Sequence, residues 1–112
     1  MMERLPSLLK VLLNLDSSRS MVIRALEDIA DALARVSPGE EQIMVQKLDE
    51  SGTLSVVHRV CASAKIDDEE LQRVALLIVS NAAWMQADRH LVEVSCEALA
   101  AKRQLLLRKL GG

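Results

Sequence analysis

Hydrophobic and polar positions recur with helical spacing along nearly the whole chain, and no run alternates with strand period for long enough to compete. Met21, Val22, Ala25, Leu26, Ile29, Ala32, Leu33 and Val36 fall at i, i+3 and i+4, with Arg24, Glu27, Asp28, Asp31 and Arg35 on the opposite face. That stripe predicts an amphipathic helix, and Ser20 is its expected cap. From Leu71 to Met85 the pattern is apolar almost all round, including the unbroken Val74-Ala75-Leu76-Leu77-Ile78-Val79, which predicts a helix buried on most sides.

The breaks between helices are few, because the chain has only four glycines and two prolines. Pro6 suits the first turn of a helix running to about Leu15, where its missing N–H costs little, and Asp16 to Ser20 is a polar break. Ser37-Pro38-Gly39-Glu40 combines a capping serine, a proline at the first helical position and a glutamate three residues after the cap, so a helix is expected from Pro38 to Ser51. Gly52 supplies a left-handed stop, and Thr53 is expected to cap a short helix from Leu54 to about Ala64. Asp67-Asp68-Glu69-Glu70 places carboxylates at the positive end of the next helix dipole, a helix start rather than a metal site. Asp88 opens a last helix from Arg89 to Leu110, ended by Gly111 and Gly112, with Leu91, Val92, Val94, Leu99, Leu105, Leu106 and Leu110 as its expected apolar contacts.

Composition narrows the function classes. A chain of 112 residues supports one domain with one core, and with Trp84 its only aromatic residue that core is built from Leu, Val, Ile, Ala and Met. A net charge of −2 gives no general attraction to phosphate backbones or anionic lipids, so neither a nucleic-acid nor a membrane partner is expected. No apolar stretch reaches the roughly 18 residues of a membrane span. The run from Met1 to Leu15, interrupted by Glu3, Pro6, Lys10 and Asn14, reads as a helix rather than a leader, leaving the cytoplasm or nucleus as the default compartment.

Candidate chemistry is sparse. Cys61 and Cys96 form no CxxC pair and read as two buried thiols. His58 and His90 lack partners at metal-ligand spacing and read as exposed helix residues. There is no nucleophile elbow, no glycine-rich phosphate loop and no tyrosine. No catalytic, cofactor-binding or metal-ligating residue is therefore assigned, and a non-enzyme is expected. The terminal Leu105 to Gly112 superficially resembles the di-glycine end of ubiquitin-like proteins, but those are β-grasp folds. In a helical chain it reads as a helix end, with Lys102, Arg103, Arg108 and Lys109 near the negative pole of the dipole.

An internal repeat organises these helices. Leu5-Pro6-Ser7-Leu8-Leu9-Lys10-Val11-Leu12 aligns with Leu54-Ser55-Val56-Val57-His58-Arg59-Val60-Cys61, and Met21-Val22-Ile23-Arg24-Ala25-Leu26 with Leu71-Gln72-Arg73-Val74-Ala75-Leu76. The register slips by one residue in the intervening loop, and Ile29 then falls on Val79 and Asp31 on Asn81. Packing of consecutive long helices predicts that Ala75 and Val79 face Ala25, Leu26 and Ile29. If no helix precedes the first, Leu8, Leu9, Leu12 and Leu13 cannot all be buried by one neighbouring helix, and an exposed leucine patch is expected.

Glu41 to Ser51, Gly52-Thr53-Leu54-Ser55, Asp68 to Ala75 and Val79-Ser80-Asn81-Ala82-Ala83 together resemble the armadillo repeat family. In that family a short first helix is followed by a second opened by a glycine turn and a long third ending Leu-Ser-Asn-Leu-Ala. The resemblance implies a short right-handed α-solenoid of about six helices: residues 1–36 a partial repeat, 37–87 a full repeat and 88–112 a capping helix. It also implies a concave groove lined by the third helices. In armadillo importins a Trp, and an Asn one turn later, form that groove, the Asn holding the ligand backbone. Here Asn81 is kept, Leu77 stands four residues earlier, Trp84 lies three residues later, and the preceding repeat has Glu27 and Asp31. The tryptophan array that reads nuclear localisation signals is absent.

The expected function is a non-catalytic scaffold or adaptor that binds a partner peptide or helix on that face. Its expected contacts are Glu27, Asp31, Glu70, Arg73, Leu77 and Asn81, flanked by Ser20, Arg24 and Arg35. Glu27 and Asp31 lie one turn apart and favour a basic ligand. The alternative is a helical bundle that homo-dimerises through apolar terminal helices, since fewer than three full repeats make a marginal core.

Overall fold

A computed structural model of the protein describes residues 4–111, and over that range it consists of helices and the turns between them. Six helices follow in order: α1 (Leu5–Leu13), α2 (Arg19–Ala34), α3 (Glu41–Ser51), α4 (Thr53–Ser63), α5 (Glu69–Trp84) and α6 (Arg89–Gly111). The all-α class expected from the periodicity is the class observed. The expectations that fall on Met1 to Glu3 and on Gly112 lie outside the described residues.

Local hydrogen bonding explains where the boundaries differ from the sequence reading. α1 stops two residues early: Asp16 N donates to Asn14 Oδ1 at 2.9 Å and Ser17 Oγ to Val11 O at 2.7 Å, turning the chain and leaving Leu15 fully exposed. The cap of α2 is Ser18 rather than Ser20, its Oγ accepting from Met21 N at 3.2 Å. α3 begins at Glu41 rather than Pro38, because Gly39 takes a left-handed φ of 92° and the Glu41 carboxylate reaches back to accept from Gly39 N at 2.8 Å. Gly52, at φ 70°, ends α3 as expected and is itself the cap residue of α4. Thr53 is therefore no cap. It is buried in the first turn, its hydroxyl 2.6 Å from Ser51 Oγ.

Two left-handed positions give opposite expectations. Nothing lies within 4 Å of a Cβ built at Gly52, so Gly52→Ala costs only the backbone strain, ~1–2 kcal/mol. At the end of α5, Ala87 N donates to Ala82 O and Gln86 N to Ala83 O, a Schellman closure with a non-glycine residue, Gln86, at φ 60°. Gln86→Gly should gain ~1 kcal/mol by removing the Cβ clash. Urea denaturation of the two variants beside the parent checks both signs.

α2 and α5 lie side by side and make the most extensive helix pair, α1 packs on α2, α4 on α5, and α1 on α4. Helices aligned by the internal repeat are thus neighbours in space. Ala25, Leu26, Ile29, Ala75 and Val79 are all buried on the α2–α5 pair. The N-terminal ends of α2 and α5 are tied by Arg19, whose Nη2 lies 2.7 Å from Asp68 Oδ1 and whose Nε donates to Asp68 Oδ2 at 3.0 Å. Asp68 also caps α5, accepting from Leu71 N at 3.3 Å. The Arg19 guanidinium, followed by the Leu71 amide, holds the Asp68 carboxyl below its usual range. That stabilisation is complete above the ordinary aspartate value of about 3.9 and is lost as pH falls through the lower folded value. Asp68→Asn keeps a capping side chain but should flatten the acid limb of the melting-temperature profile between pH 5 and 2.

α6 runs along α4 and α5. Ser95 Oγ lies 3.3 Å from His58 Nδ1, and Lys102 Nζ donates to Ala62 O at 2.9 Å near the end of α4. His58 is accordingly half-buried rather than exposed, whereas His90 is exposed. Cys61 is buried, and loss of solvent pushes its thiol up to about 11, but Cys96, expected to be buried, is exposed on α6. Only Ser95 and Leu99 of α6 are buried. Leu105 and Leu110, expected to make apolar contacts, are exposed because α6 outruns α4 beyond Lys102. Of the α1 leucines, Leu9 is buried, Leu8 and Leu12 are half-buried, and Leu13 is exposed.

Candidate functional site

α5 is not buried on most sides. Val74, Ala75, Ile78, Val79 and Ala82 face the core, whereas Leu76, Leu77 and Trp84 are 44%, 52% and 79% exposed. The repeat explains why. In α2 the stripe Ile23, Leu26, Ala30 and Leu33 is buried, and its counterparts fifty residues on, Arg73, Leu76, Ser80 and Ala83, are exposed. α2 has α5 along this side, whereas α6, which packs on α4 and α5, leaves the equivalent stripe of α5 uncovered among the described residues. Two of the four counterparts are polar where α2 has Ile23 and Ala30, which suits a helix with solvent on that side.

The expected contact residues lie on the exposed surfaces of the α2–α5 pair. Glu27 and Asp31 project from α2, and Asp31 is ion-paired at 3.2 Å to Arg35, the residue that follows the helix. Glu70, Arg73 and Leu77 are exposed on α5, with Glu70 3.4 Å from Arg19. Asn81 is half-buried, and its Nδ2 donates to Leu77 O at 3.0 Å, one turn back. Of the two causes that place a polar residue near the end of an apolar helix, the local backbone bond is therefore present. It uses one N–H and leaves the amide oxygen and the second N–H for other partners.

Two features went unread in the sequence. Trp84 and Leu76 extend the apolar part of this surface, and a separate open groove of about 830 Å³ lies between α1, the end of α2 and α3. Leu5, Val36, Ile43 and Met44 line it, together with Glu40 and Glu50 and the cations Arg35 and Lys47. Ile43, in the middle of the largely polar helix α3, was the available signal. Ser95, the hydroxyl partner of His58, is 2% exposed, and the pair bridges α4 and α6. Among the described residues no three His, Cys, Asp or Glu side chains gather as a metal site, and no helix is long and apolar enough to cross a membrane. No family model, curated protein or solved structure matches the chain.

Proposed function

We propose that α1 to α5 are one partial and one full armadillo-like repeat of a short right-handed α-solenoid, and that the chain is a non-catalytic protein-interaction module. Its ligand is an extended peptide or helix lying across the exposed face of α2 and α5. The observation that carries this reading is the apolar exposure of α5 at Leu77 and Trp84, on a helix packed beside the acidic Glu27 and Asp31 of α2. Leucine and tryptophan supply the desolvated anchor area that fixes a ligand, and the carboxylates select its charge. A basic peptide with one or two large apolar residues fits that combination.

Selection from a random peptide library against the purified chain tests it. Enriched sequences should carry Lys or Arg beside an apolar anchor, and Leu77→Glu and the Glu27→Lys/Asp31→Lys pair should each weaken their binding at least tenfold with unchanged helical circular dichroism. Equal binding to both variants would remove this face as the site. Asn81→Ala separates its two roles. A bond to the bound peptide predicts a binding loss of ~1–3 kcal/mol with little change in melting temperature, whereas a purely local role predicts a stability change alone.

A further inference from the structure

Among the six helices α6 buries the smallest share of its residues: Ser95 and Leu99 out of 23, with Leu91, Val92 and Ala98 packed at the margin of the core. α2 buries six of 16 and α5 five of 16. The contacts of α6 with α4 fall in one row. Leu91, Ser95, Leu99 and Lys102 recur at i, i+4, i+8 and i+11, and Leu54, His58 and Cys61 of α4 recur at i, i+4 and i+7, so each set lies along one side of its helix. Leu54 and Leu91 line the same cleft, Ser95 Oγ lies 3.3 Å from His58 Nδ1, and Lys102 Nζ donates to the carbonyl of Ala62, the residue after Cys61.

The Cys61 thiol registers this cover. It is completely buried, and loss of solvent, followed by the nearby Cys96 of α6, pushes it up to about 11, with Lys102 of α6 acting in the opposite sense. Cys96 itself is exposed. The packing of α1 on α2, α2 on α5, α1 on α4, α4 on α5 and α3 on α4 does not run through α6. Its one covalent link to those helices is the turn from Met85 to Asp88, between α5 and α6.

We infer that α6 is a lid, which lifts from α4 as one unit on the turn Met85–Asp88 while α1 to α5 stay folded, and so uncovers the row Leu54, His58 and Cys61. Few buried side chains and two side-chain hydrogen bonds hold it closed, and local opening of such a unit takes less free energy than unfolding the α2–α5 core. Closed, the lid keeps the α4 row from water. Open, it presents that row to solvent. The exposed side of α2 and α5 is not under the lid and is open in both states.

Iodoacetamide labelling of the full chain, read by mass spectrometry across a series of low urea concentrations, tests the inference. Cys96 should react at the rate of a free thiol. Cys61 should react more slowly, yet at least tenfold faster than the global unfolding equilibrium allows and with little dependence on urea, because opening a lid exposes far less surface than unfolding. Leu99→Ala, with unchanged helical circular dichroism, should speed Cys61 labelling at least tenfold, while Ile29→Val, in the α2 core, should leave it unchanged. Native-state hydrogen exchange gives an independent arm: amides from Leu91 to Lys102 should exchange through one shared opening, at lower free energy than the amides of α2 and α5. Cys61 labelling that follows global unfolding in rate and urea dependence, or that Ile29→Val accelerates as much as Leu99→Ala, overturns the inference. So do α6 amides that exchange no faster than those of α2 and α5.

Discussion

Leu26→Ala should destabilise the protein by ~2–5 kcal/mol, while Leu76→Ala, the same substitution fifty residues on, should cost less than about 1 kcal/mol. Both residues are leucines at equivalent places in the repeat, so helix propensity and side-chain chemistry cancel between them. What differs is cover: Leu26 is completely buried and Leu76 is 44% exposed. Removing a buried leucine loses its transfer free energy and leaves a cavity that the surroundings fill only in part, whereas at a half-exposed site water fills the space. A domain of this size has a total stability of ~5–15 kcal/mol, so the first loss is a large fraction of the whole and should be plain in urea denaturation. Equal losses at the two sites would mean that α2 and α5 are covered alike.

Ala75→Leu should destabilise by ~1–3 kcal/mol. Ala75 is 1% exposed on the helix that packs most closely with α2, in a core where Leu26, Ile29, Ile78 and Val79 are already almost inaccessible. The additional carbons can enter only by forcing off-rotamer side chains or moving one helix from the other. Leucine is also a good helix former and adds apolar surface, so a site with room would return a change near zero or a gain. The sign and size therefore report the α2–α5 separation directly, through thermal and denaturant unfolding of one variant.

Fold class and helix order were legible because helical periodicity and stop residues are local properties. Asp68 stands three residues before Leu71, and Gly52 is the only residue nearby that adopts a left-handed φ at little cost, so both ends were readable without tertiary information. Ser18 and Ser20 satisfy the same capping rule. The turn built by Asn14 and Ser17 decides between them, and it is invisible to a pattern of apolar spacings. Pro38 pointed to a helix start, and Gly39 beside it, in a left-handed conformation, prevents one.

The candidate site was legible only in part, for a different reason. Glu27, Asp31, Glu70 and Arg73 are charged and had to be exposed, so the polar half of the face follows from residue type. Its apolar half does not. Leu76, Leu77 and Trp84 sit in a run that reads as buried; Leu76 is exposed because α6 leaves open the side of α5 that matches the α5-facing side of α2, and Leu77 and Trp84 stand where α2 has the equally exposed Glu27 and Ala34, placements that no local window contains. The groove at Ile43 likewise depends on how α3 lies against α1 and the end of α2. Hydrophobicity specifies what is better covered, and the count and placement of neighbouring helices specify what is.

Amide chemical-shift mapping of the labelled protein during titration with a library-selected peptide tests the central claim most directly, because it reads every candidate surface in one experiment. Saturable perturbations concentrated on α2 and α5, around Glu27, Asp31, Arg73, Leu77 and Asn81, are the predicted result. Perturbations concentrated instead around Ile43 in the α1–α3 groove or along Leu105 to Leu110 of α6, with α2 and α5 unchanged, would contradict it.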